Sequence, residues 1–184
     1  KDLIALAKSK PNAINYASAG PGSINQIASE LFASAAGIKL VHVPYKGGSL
    51  AVNDLVGGHV DLYISSMPQM LQVAKTRQVK PLAVTGLKRS PSLPDVPTLD
   101  EIGLKGYEAS SWWGIVAPAG TPPNIVAKLN AEINKALGSD EMKRFLEGEG
   151  AEAAAMTPQK FRELIITEMQ RWDRVAKEAN IRAD

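Results

Sequence analysis

Asn15-Tyr16-Ala17-Ser18-Ala19-Gly20-Pro21-Gly22-Ser23-Ile24-Asn25-Gln26-Ile27-Ala28-Ser29-Glu30-Leu31-Phe32 is the stretch whose reading decides the fold. Ile14 to Ala17 form a short apolar run that suits a strand, and Ser18 to Gly22 supply small residues and a proline where the chain must turn. Ser23 is a good N-cap, and Ile24, Ile27, Ala28, Leu31 and Phe32 recur at the spacing of one helical face until Gly37 stops the helix. A strand, a Gly-rich turn and a helix start place unpaired backbone N–H groups at the positive end of a helix dipole, which suits an anion. On this stretch alone, a tight turn with an ordinary helix cap reads equally well.

The anion need not be a phosphate. Gly20 and Gly22 have no third glycine at position 25, and no lysine stands at the helix start, so neither common nucleotide-binding pattern is complete. A small carboxylate, held by N–H groups with the Ser18 and Ser23 hydroxyls as further donors, suits the loop better.

The same unit recurs outward from this stretch. Lys39 to Val43 form a β-rich run that breaks at Pro44 and turns through Tyr45-Lys46-Gly47-Gly48, after which Ser49 can cap a helix ended by Gly57-Gly58. Val60 to Ile64 predict a third strand, with Ser65 and Ser66 at its carboxyl end before a helix opened by Pro68. Pro81 to Thr85 predict a fourth. Ahead of them, Asp2 caps a short amphipathic helix that ends before Pro11. Three strand-turn-helix units in succession predict an α/β fold with a mainly parallel sheet, whose ligands bind outside the carboxyl ends of the strands. Residues 18–23, 44–49 and 65–68 are therefore expected to converge.

From Leu87 to Gly106 the chain is proline-rich and reads as a surface excursion with a short helix near Leu99 to Ile102. Ser110 to Ala117 predict an apolar strand, with Trp112 and Trp113 on opposite faces, one ring in a core and the other toward a cleft. The remainder is helical: Asn124 to Leu137, Asp140 to Leu146, and a last helix begun by Thr157-Pro158.

Composition narrows the function. The 184 residues carry a net charge of +2 with acidic and basic side chains interspersed, so there is no stripe for nucleic acid or a membrane surface. There is no cysteine, hence no disulfide framework, thiolate metal site or cysteine nucleophile. No apolar run approaches the ~20 residues of a membrane span. His42 lies between valines and His59 follows a Gly-Gly turn; both read as structural, and they offer neither a metal pair nor a base for Ser18 or Ser23. No metal or cofactor is expected. Lys46 beside Gly47 either holds an anion or is a solvated loop residue.

The runs Asn-Tyr-Ala-Ser-Ala-Gly-Pro-Gly-Ser (15–23), Val-His-Val-Pro-Tyr-Lys-Gly-Gly (41–48), Ala-Val-Thr-Gly-Leu-Lys-Arg-Ser-Pro-Ser-Leu-Pro-Asp-Val-Pro-Thr (83–98) and Ser-Trp-Trp-Gly-Ile-Val-Ala-Pro-Ala-Gly-Thr-Pro-Pro (111–123) resemble, in order, the Bug (TctC-like) family of extracytoplasmic solute-binding receptors. The resemblance implies a periplasmic receptor of a tripartite tricarboxylate transporter, with a two-lobed architecture like that of type II periplasmic binding proteins. Its lobes close on a small carboxylated solute without performing chemistry, and its partners are the transporter's membrane components. It also implies that Ser18, Ala19, Gly20, Gly22 and Ser23 fall on the loop of the second lobe that holds a ligand carboxylate. Gln26, Pro44, Lys46, Gly47, Ser65 and Ser66 complete the expected ligand-binding set.

Family members often carry a histidine or glutamine where Gln26 stands, and an Asp or Asn where this chain has Ser65 and Ser66. An amine would lose its carboxylate partner there, so a dicarboxylate or an aromatic acid is the more plausible solute. The resemblance further implies a signal peptide and a first lobe ahead of the opening helix. The expectation is thus a truncated or proteolysed fragment: residues 1–108 a nearly complete second lobe, and 109–184 the crossover strand and C-terminal helices of the first. A crossover strand without neighbours predicts self-association of the fragment to cover it. The alternatives are an effector-sensing domain of a transcription regulator, for which no helix-turn-helix is seen, and a hydrolase using the Ser/Gly loop as an anion hole, for which no base is at hand.

Overall fold

The computed structural model describes residues 1–178 and Ile181. Its elements are α1 (Asp2–Ser9), β1 (Asn15–Ser18), α2 (Ile24–Ala36), β2 (Val41–Pro44), α3 (Gly48–Val56), β3 (Leu62–Tyr63), α4 (Met67–Lys75), α5 (Pro123–Leu137), α6 (Asp140–Gly148) and α7 (Pro158–Glu178). The three strands form one parallel sheet in the order β2-β1-β3, with Tyr16 facing His42 on one side and Leu62 on the other. An α/β fold with a parallel sheet is thereby present, and β1 is its centre.

Alternation along β1 divides the core. Ile14 joins Ala7, Ala28, Phe32, Leu99 and Tyr107 on one face, while Ala17, of opposite parity, joins Ala51, Val60 and Tyr63 on the other. The α2 helix starts at the Ser23 cap, whose hydroxyl accepts from the Gln26 N–H at 3.4 Å, and ends at Gly37 in the left-handed region. The Tyr107 hydroxyl donates to the Ala28 carbonyl at 2.8 Å and ties the proline-rich excursion to α2.

Several expected elements differ. Pro81 to Thr85 do not join the sheet: Val84 makes one isolated parallel bridge with Thr98, and the Thr85 carbonyl accepts from the Ala109 N–H, so the run is satisfied by the excursion that follows it. Leu99 to Ile102 form turns rather than a helix. The Thr98 hydroxyl accepts from the Glu101 N–H and the Glu101 carboxylate accepts from the Thr98 N–H, a capping box that goes no further because Gly103 and Gly106 take positive φ. Ser110 to Ala117 form no strand, and every residue from 110 to 120 is exposed. An extended apolar run becomes a strand only where a neighbouring backbone supplies its hydrogen bonds. Two caps shift by a residue or two: Lys1 rather than Asp2 precedes α1, and Gly47 at φ 114° precedes α3, with Ser49 inside the helix.

The α5 and α6 helices bury no residue fully, whereas α7, 21 residues long, packs against α5 and also against α2. Near its C-terminal end Val175 is buried and Trp172 rests on the α2 side of the core. The Arg171 guanidinium donates to the Glu108 carbonyl and pairs with Glu168, whose carboxylate also takes the Trp172 indole N–H at 2.8 Å. No helix among the described residues is long and apolar enough to cross a membrane.

Candidate carboxylate site

At the carboxyl edge of the sheet, the first loop is stitched from within. The Gly20 N–H donates to Ser18 Oγ at 3.1 Å, the Ser23 N–H to the Gly20 carbonyl at 3.2 Å, and the Gly22 N–H to Gln26 Oε1 at 2.8 Å. Gly20 and Gly22, at φ 134° and 72°, permit this path. The donors that α2 presents are therefore the N–H groups of Ile24 and Asn25, in its first turn, where no intrahelical acceptor exists.

The other two loops close on the first. Tyr45 N–H donates to the Ser18 carbonyl at 3.0 Å and Gly47 N–H to the Ala19 carbonyl at 3.1 Å. The Asn25 side-chain amide donates to the Ile64 carbonyl at 2.8 Å, which fixes the start of α2 against the end of β3. Ser65 Oγ and the Tyr63 hydroxyl both donate to Gln69 Oε1, the latter at 3.3 Å. Ser66 sits at the N-cap of α4 without a side-chain cap bond, so its hydroxyl is uncommitted there.

Beside this edge lies a recess of about 300 Å³. Ile24, Asn25, Ser65, Ser66 and Gln69 make one wall. Ser110, Ser111, Trp112, Trp113 and Trp172 make the other. No lining side chain is ionised, so the recess offers hydroxyl, amide and indole surface. Of the expected residues, Ser65 and Ser66 line it; Ser18 at the end of β1, Ala19, Gly20, Gly22 and Ser23 in the turn, and Gln26 in the first turn of α2 build the adjoining corner; Pro44 at the end of β2 and Lys46 and Gly47 after it do not reach the lining. Asn25, Gln69 and Trp172 escaped sequence reasoning. Both Trp112 and Trp113 line the recess, instead of dividing between core and cleft; Trp112 also meets Phe161 edge to face at 5.4 Å. Gly114 keeps that contact open, since a Cβ there would overlap the Phe161 ring.

The expectation that no base stands near Ser18 fails. His42 Nε2 lies 2.6 Å from Ser18 Oγ, so a base does stand beside this serine. Ser18 is fully buried, however, and no substrate carbon could approach its oxygen. Tyr16 stacks on His42, and its hydroxyl donates to the Glu30 carboxylate. Burial and Glu30 together push the Tyr16 phenol far above its usual range. Burial holds the His42 imidazole below the ordinary histidine value, with Glu30 opposing. The folded protein thus binds fewer protons at His42 than the unfolded chain between those two values, and stability falls as pH drops through about 6.5 toward the lower folded one. Melting temperatures measured from about pH 8 to pH 5 should fall more in the wild type than in His42→Gln; parallel curves would refute this. Among the described residues no cluster of His, Asp or Glu could hold a metal ion.

A family profile described as "Tripartite tricarboxylate transporter family receptor" matches residues 1–181. Among solved structures, that titled "R. palustris Rpa4515 with adipate" is 38% identical with a TM-score of 0.91, covering 98% of this chain and 60% of that one. "Structure of periplasmic binding protein BugD" is 33% identical with a TM-score of 0.87, covering all of this chain and 62% of that one. "MatC (Rpa3494) from Rhodopseudomonas palustris with bound malate" is 31% identical with a TM-score of 0.84, covering 95% and 60%. The chain spans about half the length, 54%, of the first two curated relatives it matches. On a match that runs nearly end to end, the chain belongs to the tripartite tricarboxylate transporter receptor family.

Proposed function

We propose that this chain captures a small carboxylate, a dicarboxylate or an aromatic acid, in the periplasm for a tripartite tricarboxylate transporter and performs no chemistry on it. The observation that carries this reading is the recess at the carboxyl edge of the parallel sheet, where the first N–H groups of α2 meet uncharged hydroxyls and amides opposite three tryptophans. Helix N–H groups and hydroxyls stabilise a carboxylate without a neighbouring cation, and indole faces suit an alkyl or aryl body. The absence of an ionised lining group disfavours an amine. The related structures that hold adipate and malate support the same ligand class. We divide the chain functionally into residues 1–108, which hold the carboxylate, and residues 109–184, which supply the tryptophan wall. Trp113, Ile115 and Val116, exposed at 69%, 73% and 75%, favour burial of segment 110–117 against further polypeptide, a second copy included.

The test is a thermal-shift screen with adipate, malate and benzoate. At a hundred times the dissociation constant a ligand adds about 2.7 kcal/mol of stability, so at least one acid should raise the melting temperature by several degrees. Ser66→Ala, which removes an uncommitted hydroxyl, and Trp112→Ala should each reduce that rise. No shift with any of these acids, or consumption of the bound acid, would reject the reading.

A further inference from the structure

His42 lies in β2 directly across from Tyr16, with the two rings 4.9 Å apart and 16° from parallel. Its Nε2 approaches Ser18 Oγ at 2.6 Å, and the same Oγ is 3.1 Å from both the nitrogen and the carbonyl oxygen of Gly20. A hydroxyl has one proton and two lone pairs. The Gly20 N–H can only donate, so one lone pair accepts it. The single hydroxyl proton then has two claimants, His42 Nε2 and the Gly20 carbonyl.

Two observations decide between them. The Gly20 carbonyl already accepts from the Ser23 N–H, whereas Ser18 is the partner that Nε2 meets among the described residues. A separation of 2.6 Å is also shorter than an N–H donor ordinarily makes to oxygen and lies in the range of hydroxyl donors. The hydroxyl therefore donates to Nε2, and the imidazole is the neutral tautomer with its proton on Nδ1. Glu30 from α2, engaged by the Tyr16 hydroxyl, is the charged group that bears on this ring.

We infer that His42 is a positioning residue of the carboxylate loop: its neutral imidazole accepts a hydrogen bond from the Ser18 hydroxyl, which orients that oxygen toward the Gly20 N–H and fixes the turn from which Ser23 and the start of α2 are presented. His42 touches no ligand itself. The inference rests on the proposed function, in that the loop it fixes is the one read as holding the acid. Its consequence is that the β1–β2 pairing, rather than the loop alone, sets the angle at which the helix N-terminus meets the recess.

Nitrogen-15 spectroscopy of the imidazoles tests this directly, since the protein has only two histidines and His42→Gln assigns them. At about pH 7.5 the expected signature is protonated Nδ1 and bare Nε2 for His42. His42→Gln, which can accept the same hydroxyl, should keep the wild-type affinity for adipate within about twofold, while His42→Phe, which keeps the stacked ring but accepts nothing, should lose about fivefold. His42→Phe should also shift the amide resonances of residues 19–23. A proton on Nε2, or unmoved loop amides in a folded His42→Phe, would overturn the inference. Should the wild type bind no acid, the proposed function falls, and the tautomer with the loop amides still decides the role of His42.

Discussion

Gly20→Ala is expected to lower affinity for the bound acid at least about tenfold while leaving a folded protein. Gly20 sits at φ 134°, and a Cβ there would stand 3.2 Å from the Tyr45 carbonyl. A non-glycine residue held in such a conformation costs about 1–3 kcal/mol, and the loop relieves it by rotating away. That rotation breaks both bonds that Gly20 makes across the turn, its N–H to Ser18 and its carbonyl from Ser23, and pushes the first loop off the second. The melting temperature should fall by about 2–10 °C, since a domain of this size loses a few degrees per kcal/mol. Calorimetric titration with adipate, beside a melting curve, measures both effects. Wild-type binding in Gly20→Ala would mean that the loop's path is irrelevant to the site.

Phe32→Ala should have the largest effect on stability. Its ring is 4% exposed and lies in the cluster where α1, α2, the residue before β1 and the excursion around Leu99 and Tyr107 meet. Removing a buried phenylalanine costs about 3–5 kcal/mol, because the lost burial is joined by a cavity that neighbours fill only in part. Total stability of a domain is about 5–15 kcal/mol, so the variant forfeits a large share of it. Urea unfolding should show a lower midpoint at an unchanged slope. A change below about 1 kcal/mol would place the main core elsewhere.

Residues 15–37 were legible because independent local signals agree there: an apolar run, a turn of small residues, a serine cap accepting from the third helical N–H, and a glycine in the left-handed region at the end. Pro81 to Thr85 and Ser110 to Ala117 have the composition of strands, but strand formation depends on a partner that composition does not name. The helix expected near Leu99 to Ile102 does open, on the capping box of Thr98 and Glu101, but the glycines that follow overrule it. Of the residues that line the recess, the place of Ser65 and Ser66 at a loop on the carboxyl edge was readable because they follow a strand in a parallel unit. Trp172 was not, since only tertiary packing of α7 on α2 brings it to the recess. The approach of His42 to Ser18 likewise follows from the register of β2 on β1, and a shift by one residue would turn that imidazole to the opposite face.

The α7 helix has a mechanical consequence. At 21 residues it is about 30 Å long, and it touches α2 through its C-terminal turns while also contacting α5. Such a rod works as a lever: from the α2 contact near Trp172 to Pro158 is about 20 Å, so a tilt of about 10° about that contact sweeps the far end through about 3.5 Å. Arg171, clasping the Glu108 carbonyl and Glu168, sits near the fulcrum, where little displacement accompanies the rotation. A rotation that scarcely moves the groups beside Trp172 is thus magnified, by geometry alone, into a displacement of about 3.5 Å at Pro158.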